Sequence, residues 1–369
     1  MTELDRERLI AALALARNAI GVSEPNPRVG CILGRDDGTI IASGSTQQAG
    51  GAHAEVVALR AAHATGGDVR GATAWVTLEP CAHHGRTPPC CDALIDAGIA
   101  RVVLAIGDPY PAVNGAGIAR LLAAGVRVEM ADADIAQQAR ELNIGFFSRI
   151  QRHRPWVRLK VATSLDGRTA LHNGASQWIT GAEARADTHA WRKRASAILT
   201  GIGTVLADDP RLDVRLSPTN VQPLRVVLDS HLRTPVDARI LQTPGACLLV
   251  ATEVERSKAE ALQRHGAEVC VIRGANGLVD LDGLMMELNR RNANEVHVEA
   301  GSRLNGALLR ANLVDELLVY VAPKVLGPGR DMAQFAPLHE LSAAINFQFV
   351  DTTQLGPDLC LRLRLRRNE

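Results

Sequence analysis

Apolar residues between positions 4 and 20 recur at helical spacing and predict an amphipathic N-terminal helix. Residues 30–33 and 39–43 read as a short hairpin pair, and 53–64 return to helical spacing. Residues 72–78 predict a strand, 91–97 the start of a helix, and 101–106 a strand closing on Gly107-Asp108-Pro109. A helix at 118–124, a strand at 126–129 and one helix at 135–150 follow. This alternation predicts an α/β layer structure. Residues 151–155, Gln-Arg-His-Arg-Pro, interrupt it with charge and a proline, which puts a domain boundary there and gives domains 1–152 and 153–369. The second domain repeats the α/β pattern. Its strands are predicted near 157–162, 197–200, 224–228, 247–251, 268–272, 295–298 and 316–321, with helices near 182–194, 254–265, 281–291 and 302–311.

Composition narrows the picture. The chain has 369 residues, too many for one ordinary domain. Aromatic residues make up 3%, so the cores must be built from Ala, Val, Leu and Ile. With 41 basic and 40 acidic residues the net charge is +1, which offers no general attraction for nucleic acid or an anionic membrane. Neither is expected as a partner. Seven cysteines, an odd number, fit a reduced cytoplasmic protein better than a disulfide framework. Residues 9–16 imitate a secretory signal, but Glu3, Asp5 and Glu7 precede them and the apolar run is short. No segment approaches the ~20 apolar residues of a membrane span.

Chemistry concentrates in the first domain. His53-Ala54-Glu55 opens a predicted helix, Pro80-Cys81 follows a predicted strand, and Cys90 completes a trio of nitrogen and sulfur donors. A catalytic zinc takes three such ligands and leaves a position for water, whose pKa it lowers towards about 7. Glu55 is too near His53 to ligate comfortably but can hold a proton beside that water. A closed structural zinc site would need a fourth ligand, which His83, His84 or Cys91 could supply, and Cys91 beside Cys90 leaves the register open. Glu55 favours the catalytic reading, because a structural site has no use for it.

The run Thr77-Leu78-Glu79-Pro80-Cys81-Ala82-His83-His84-Gly85-Arg86-Thr87-Pro88-Pro89-Cys90, with His53-Ala54-Glu55 and Asn26-Pro27-Arg28-Val29-Gly30 upstream, resembles the deaminase half of the bifunctional riboflavin-biosynthesis deaminase–reductases. The resemblance implies a cytidine-deaminase-like α/β/α fold, zinc on His53, Cys81 and Cys90, proton transfer by Glu55, and Asn26 on the pyrimidine nucleotide. Two positions depart from the family pattern. Thr46 stands where a histidine is usual, which puts one substrate contact in question, and Ala82 replaces the usual serine.

In the second domain, Gly201-Ile202-Gly203-Thr204 after a predicted strand brings backbone close to a phosphate, although a lone Gly-x-Gly equally fits a plain tight turn. Residues 299–306 follow a strand and open a helix, an anion-binding arrangement. Neither matches the standard dinucleotide fingerprint. Taken together, Lys160, Ser164 to Arg168, Ser176 to Thr180, Thr204 to Pro210, Val298 to Gly301 and Ala322-Pro323-Lys324 resemble the reductase half of the same family, whose fold is similar to dihydrofolate reductase. That resemblance implies NADPH against Ala162, Trp178, Thr204, Asp208, Ser230 and the turn Gly301, Ser302, Arg303, Leu304, Asn305, Gly306 and Ala307. It implies the ribose phosphate substrate against Ser176, Arg192, Leu212, Arg215 and Glu299, with Lys160 polarising the sugar carbonyl. Core packing of Trp178 and a strand-end role for Lys160 are the plain alternatives.

The expected enzyme is a hydrolase and an oxidoreductase in one chain. It deaminates a phosphoribosylamino diaminopyrimidinone with Zn2+, then reduces the ribosyl chain to ribityl with NADPH. A cytoplasmic homo-oligomer, dimer or tetramer, acting on a small molecule is expected. A nucleic-acid base deaminase should carry a basic surface, and a regulator that only binds nucleotides would dispense with Glu55.

Overall fold

A computed structural model describes residues 1–83, 88–219 and 221–366. The chain divides into two units, Met1–His153 and Arg154–Glu369. The first holds a five-stranded sheet in the order β2-β1-β3-β4-β5, from β1 (Gly30–Gly34), β2 (Ile40–Ser45), β3 (Thr73–Val76), β4 (Arg101–Leu104) and β5 (Arg127–Met130). β1 runs antiparallel to β2 and β3, and β3, β4 and β5 are parallel. Its helices are α1 (Glu3–Ala16), α2 (Ala54–Ala64), α3 (Cys90–Asp96), α4 (Ala116–Ala123), α5 (Ala133–Leu142) and α6 (Ile144–Arg152).

Successive strand residues point to opposite faces, and this sorts them into two cores. Cys31, Leu33, Ala74, Val76, Val102 and Leu104 pack with α2 and α3. Ile32, Trp75 and Val103 pack on the other face with Leu9 and Leu13 of α1 and Ile135 of α5. Burying each such large side chain stabilises by roughly 1.5–3 kcal/mol. α1 lies so close to β1 that a Cβ at Gly30 would sit 2.0 Å from the Ala12 carbonyl oxygen.

Two expectations change here. The predicted N-terminal helix ends as α-helix at Ala16 and continues as a single 3-10 turn, Arg17–Ala19. The predicted helix 135–150 is two helices broken at Asn143, whose buried amide accepts the Arg28 N–H (2.7 Å) and donates to the Arg28 carbonyl (2.9 Å). That contact comes from 115 residues away, so local periodicity carries no sign of it.

The second unit is built on nine strands in the order β11-β10-β9-β8-β12-β6-β13-β16-β15. These are β6 (Trp156–Ser164), β8 (Ala197–Gly201), β9 (Leu224–Leu228), β10 (Cys247–Ala251), β11 (Ala267–Val271), β12 (Glu295–Val298), β13 (Glu316–Ala322), β15 (Phe347–Leu355) and β16 (Asp358–Leu365). β7 (Arg168–Leu171) and β14 (Gly329–Asp331) form a separate ribbon. The sheet is parallel from β11 to β13, and β16 and β15 close it antiparallel. Helices α7 (Ala182–Arg194), α8 (Ile202–Asp208), α9 (Arg239–Gln242), α10 (Arg256–Arg264), α11 (Leu281–Arg290) and α12 (Ser302–Arg310) complete the unit. Apolar side chains cover both faces, as a parallel sheet requires. The glycines at 201 and 203, read as a phosphate turn or tight turn, stand at the entry to α8. The β15–β16 ribbon adds strands that the predicted set lacks.

Candidate active sites

In the first unit the strand ends carry the chemistry. His53 is the residue before α2, Cys81 follows the end of β3, and Cys90 is the first residue of α3. His53 Nδ1 lies 3.1 Å from Cys90 Sγ and 3.6 Å from Cys81 Sγ, and the three donor atoms fall within 4.8 Å of one another. The Cys90 backbone N–H donates to Cys81 Sγ at 3.3 Å, so the start of α3 stabilises negative charge on that sulfur. Hydrogen bonding with Cys90 and His53 holds the Cys81 thiol below its ordinary value despite burial, while hydrogen bonding with Cys81, and burial, push Cys90 up. Cys91 faces away into the α2–α3 core with its Sγ 3.8 Å from Asp92 Oδ1. The structure thus gathers Cys90, not Cys91, with His53 and Cys81.

Three nitrogen and sulfur donors with no fourth ligand grouped with them among the described residues suit zinc with one position left for water. Cys91 is turned away, and His83 lies against the Tyr110 ring with centroids 5.8 Å apart. His84 lies outside the described residues. Glu55 is buried in the first turn of α2, and burial pushes its carboxyl up to about 7, with His53 pulling the other way. Asn26 is half-buried on the loop entering β1. Thr46 is buried, and its hydroxyl oxygen accepts the Val29 N–H at 3.1 Å, so this departure from the family pattern braces the hairpin.

Sequence reasoning overlooked Glu79. Its buried carboxylate accepts from four backbone N–H groups, those of Asp108 (3.3 Å), Gly115 (3.0 Å), Gly117 (3.0 Å) and Ile118 (3.2 Å). The loop before α4 is thereby tied to the segment that carries Cys81. A Cβ at Gly117 would lie 2.0 Å from the Pro80 carbonyl oxygen, so only glycine fits there. The same loop holds Asp108, whose carboxyl burial pushes up to about 7. A carboxylate immediately before Pro-Cys at a strand end was the available signal.

The second unit opens a cavity of about 1800 Å³ at the carboxyl ends of its parallel strands, where open α/β sheets bind ligands. Lys160, Ala162, Ser176, Trp178, Arg192, Thr204, Asp208, Leu212, Arg215, Ser230, Glu299, Gly301, Ser302, Arg303, Leu304, Asn305 and Ala307 all line it. Gly306 lies behind the wall, with its Cα against the Gln334 backbone. A Cβ at Gly203 or Gly301 would meet nothing within 4 Å, which leaves the backbone there open to a ligand. A long, open cradle with a helix start, that of α12, suits a phosphate-bearing dinucleotide.

Arg192 and Glu299 are bound to each other, and Arg192 Nη1 also donates to the Asp213 carbonyl at 3.0 Å. Arg215 is exposed, with Nη1 2.7 Å from Asp213 Oδ1. Burial, Arg192 and Arg215 push the His189 ring down to about 4, and its neutral Nδ1 accepts the Arg215 N–H at 3.3 Å. Burial likewise pushes the Lys160 ammonium down, Glu299 opposing and Arg192 adding to the shift. Trp178 is 63% exposed, so core packing does not describe it; the Arg185 guanidinium stands 4.5 Å over its ring and Lys324 Nζ donates to its carbonyl at 3.1 Å.

Two layered α/β units, one with a zinc-type donor triad and one with a dinucleotide-sized cradle, define a deaminase joined to a reductase. Residues 2–106 match the cytidine and deoxycytidylate deaminase zinc-binding region, and residues 155–361 match the RibD C-terminal domain. The riboflavin biosynthesis protein RibD of Escherichia coli K12 is 44% identical over 97% of this chain and 99% of its own, and that of Aquifex aeolicus 39% over 97% and 98%. Among solved structures, Acinetobacter baumannii RibD superposes with a TM-score of 0.89 at 40% identity, covering 99% of each chain. A Thermotoga maritima diaminohydroxyphosphoribosylaminopyrimidine deaminase/5-amino-6-(5-phosphoribosylamino)uracil reductase gives 0.87 at 31% identity, covering 98% of this chain and 99% of that one. The chain belongs to the RibD family of riboflavin biosynthesis proteins. It is a bifunctional enzyme, a zinc deaminase and an NADPH-dependent reductase.

Proposed function

We propose that the first unit removes the 2-amino group of 2,5-diamino-6-(5-phosphoribosylamino)pyrimidin-4-one by hydrolysis, and that the second reduces the ribosyl chain of the product to ribityl. The observation that carries this reading is the buried Glu55 carboxyl beside the His53, Cys81 and Cys90 donors. When bound there, zinc lowers the pKa of water and makes it a nucleophile at neutral pH. Glu55 passes one proton of the attacking water to the ring nitrogen and then the second, from the newly added hydroxyl, to the amino group as the C–N bond breaks and ammonia leaves. Asn26 holds the pyrimidine nucleotide, and Glu79 keeps the wall carrying Asp108 in place.

In the second unit NADPH supplies the hydride. Ala162, Trp178, Thr204, Asp208, Ser230 and residues 301–307 would hold it, with the free amides at the start of α12 available to its phosphates. Lys160, as the ammonium, polarises the sugar carbonyl. Arg215 presents its guanidinium to the substrate phosphate, Ser176 and Leu212 bound the same pocket, and Arg192 contributes what Glu299 and Asp213 leave free.

Among the described residues no helix is long and apolar enough to cross a membrane. A cytoplasmic enzyme fits the seven free cysteines. Two or four copies per particle is the reading supported by edge strand β15, whose Phe349 is 68% exposed; sedimentation analysis tests it. The central test incubates the purified protein with the diaminopyrimidinone, with and without NADPH. Ammonia should appear in both samples and the ribityl product only with NADPH. Absence of ammonia from zinc-loaded protein would overturn the deaminase reading.

A further inference from the structure

We propose that Lys324 is a positioning residue for the reductase. From outside the cavity it pins the backbone that carries Trp178, and so fixes that cofactor platform relative to Lys160, an inference that rests on the nucleotide reading of this cavity. Three successive carbonyls at the cavity wall are each taken by a cation. Lys324 Nζ donates to the Trp178 carbonyl at 3.1 Å and to the Ile179 carbonyl at 2.6 Å, and Arg185 Nη1 donates to the Thr180 carbonyl at 2.9 Å. Among the described residues, every hydrogen bond that ties Trp178, Ile179 or Thr180 to another element comes from these two side chains. The Ile179 N–H bonds within the segment, to the Ser176 carbonyl at 3.2 Å. The segment is otherwise held at its ends, by the turn at 171–175 and by the Gly181 N–H, which donates to Asp358 Oδ2 at 2.6 Å.

The base of Lys324 is fixed to the strand that carries Lys160 and Ala162. That strand, β6, ends at Ser164, which pairs with Ala322 at the end of β13. Two residues on, the Lys324 N–H turns back to the Ala322 carbonyl (2.8 Å), and the Lys324 carbonyl accepts the Leu165 N–H (2.7 Å). The Asp166 carboxylate then accepts the N–H groups of Leu326 (3.1 Å) and Gly327 (2.8 Å). Lys324 thus stands on two laced turns, and its ammonium reaches across to the Trp178 segment. Lys160, Ala162, Trp178, Ile179 and Thr180 line the cavity; among the described residues of that wall Lys324 has no place. Its influence on a bound dinucleotide therefore passes through the platform. Reduction needs the hydride donor aligned on the carbonyl that Lys160 polarises, and a misplacement of about 1 Å can cost about 10²-fold in rate.

Calorimetric titration of the full chain with NADPH tests this on four proteins: the wild type, Lys324→Met, Trp178→Ala and the double variant. Methionine keeps an unbranched side chain but carries no donor. Lys324→Met should weaken NADPH binding about threefold to tenfold, the scale of one lost hydrogen bond. Lys324→Arg, which can still donate to both carbonyls, should restore most of the affinity. Where the indole is already gone, Lys324→Met should change affinity by less than about twofold, because it acts through Trp178. With both substrates saturating, Lys324→Met should slow reduction about tenfold or more and raise the isotope effect with NADPH deuterated at the transferred hydride. In the ligand-free protein, amides of residues 172–181 should exchange faster in Lys324→Met, while those of β12 and α12 keep their protection. Equal losses of affinity in both backgrounds, or binding and reduction within about twofold of wild type in Lys324→Met, overturn the proposal. So does faster exchange, or failure to fold, across the whole second unit, which would make Lys324 a support of the fold at large. Those outcomes leave the nucleotide reading standing. Wild-type protein that binds no NADPH, or Trp178→Ala that binds it as the wild type does, overturns the reading at this wall and the inference with it.

Discussion

Arg192 and Glu299 form a two-pronged ion pair, with Nε to Oε1 at 2.5 Å and Nη2 to Oε2 at 2.9 Å, across 107 positions of sequence. Both side chains are close to fully buried, and Lys160 shares their surroundings. The pair joins the last turn of α7 to the end of β12, and the Thr200 hydroxyl adds a 2.7 Å bond to the Glu299 carbonyl. The cavity floor is therefore braced before any ligand arrives. An arginine expected to bind phosphate also neutralises a glutamate that would otherwise repel it.

Glu299→Gln should leave Arg192 as a buried, poorly compensated cation. Breaking one partner of such a pair costs about 3–5 kcal/mol, which denaturant unfolding of the second unit would register. The substitution also removes the group that holds Lys160 charged. Burial and Arg192 already push the Lys160 ammonium down, so its pKa should fall further. Because the ammonium is the working form, the alkaline limb of the reductase kcat/KM profile should move to lower pH. An unmoved limb would remove Lys160 from the mechanism.

Cys90→Ser should lose zinc, and Cys91→Ser should keep it. Cys90 lies 3.1 Å from His53 Nδ1, whereas Cys91 packs into the core and burial pushes its thiol up to about 11. Elemental analysis of the two purified variants, against about one zinc per wild-type chain, decides between neighbouring sulfurs.

The contrast between those two cysteines shows what the sequence could and could not reveal. The donors were legible because zinc chemistry needs particular residue types, and His53, Cys81 and Cys90 stand at element ends that the alternation of apolar runs predicts. Spacing alone left the adjacent sulfurs open and only the family resemblance chose Cys90, because the direction in which α3 begins is set by packing. The break at Asn143 was illegible for a similar reason: the segment keeps helical periodicity, and its interruption comes from the Arg28 backbone. The β15–β16 ribbon divides. Leu361, Leu363 and Leu365 alternate with arginines, a strand signal in itself, but β15 is exposed along most of its length and has no apolar face to read. No local pattern announces the Arg192–Glu299 pair.

Arg215→Ala should raise the KM of the reductase for its phosphorylated substrate. Loss of a charge-assisted bond of this kind costs on the order of 1.5–3 kcal/mol, roughly a tenfold to hundredfold effect. Dephosphorylated substrate should be nearly indifferent to the change. Equal loss on both substrates would mean that Arg215 acts by holding Asp213 and not by meeting phosphate.

Asp5 should make the first unit acid-sensitive. Burial alone would push its carboxyl up, but hydrogen bonds from Arg101, Thr2 and Trp75 outweigh this and hold it well below the usual carboxylate range. The folded pKa lies below the unfolded value of about 3.9, so the stabilisation is present above that pH and drains away as the pH falls towards the folded value. Hydrogen-exchange protection of α1 and β3 amides should therefore decline below about pH 4. Asp5→Asn should lower protection at neutral pH and flatten that decline. A variant with unchanged acid dependence would assign the sensitivity to other carboxylates.

Glu55→Gln separates the two activities. The amide keeps the size of the side chain and a hydrogen-bonding group, but it cannot carry a proton between water and the ring nitrogen. General acid–base assistance typically contributes 10²- to 10⁴-fold, so deamination should fall by about that factor. Zinc should remain, since the gathered donors are His53, Cys81 and Cys90 and do not include Glu55. Reduction should persist when the variant is given the already deaminated compound and NADPH. Lys160, Arg192, Arg215 and Glu299 line a cavity whose walls come wholly from the second unit, and that unit has its own cores. Both half-reactions can be assayed on one preparation, with folding checked by circular dichroism and metal by elemental analysis. If reduction fell in parallel while fold and zinc stayed intact, the two chemistries would not be housed in separate sites, and the assignment of one reaction to each unit would fail.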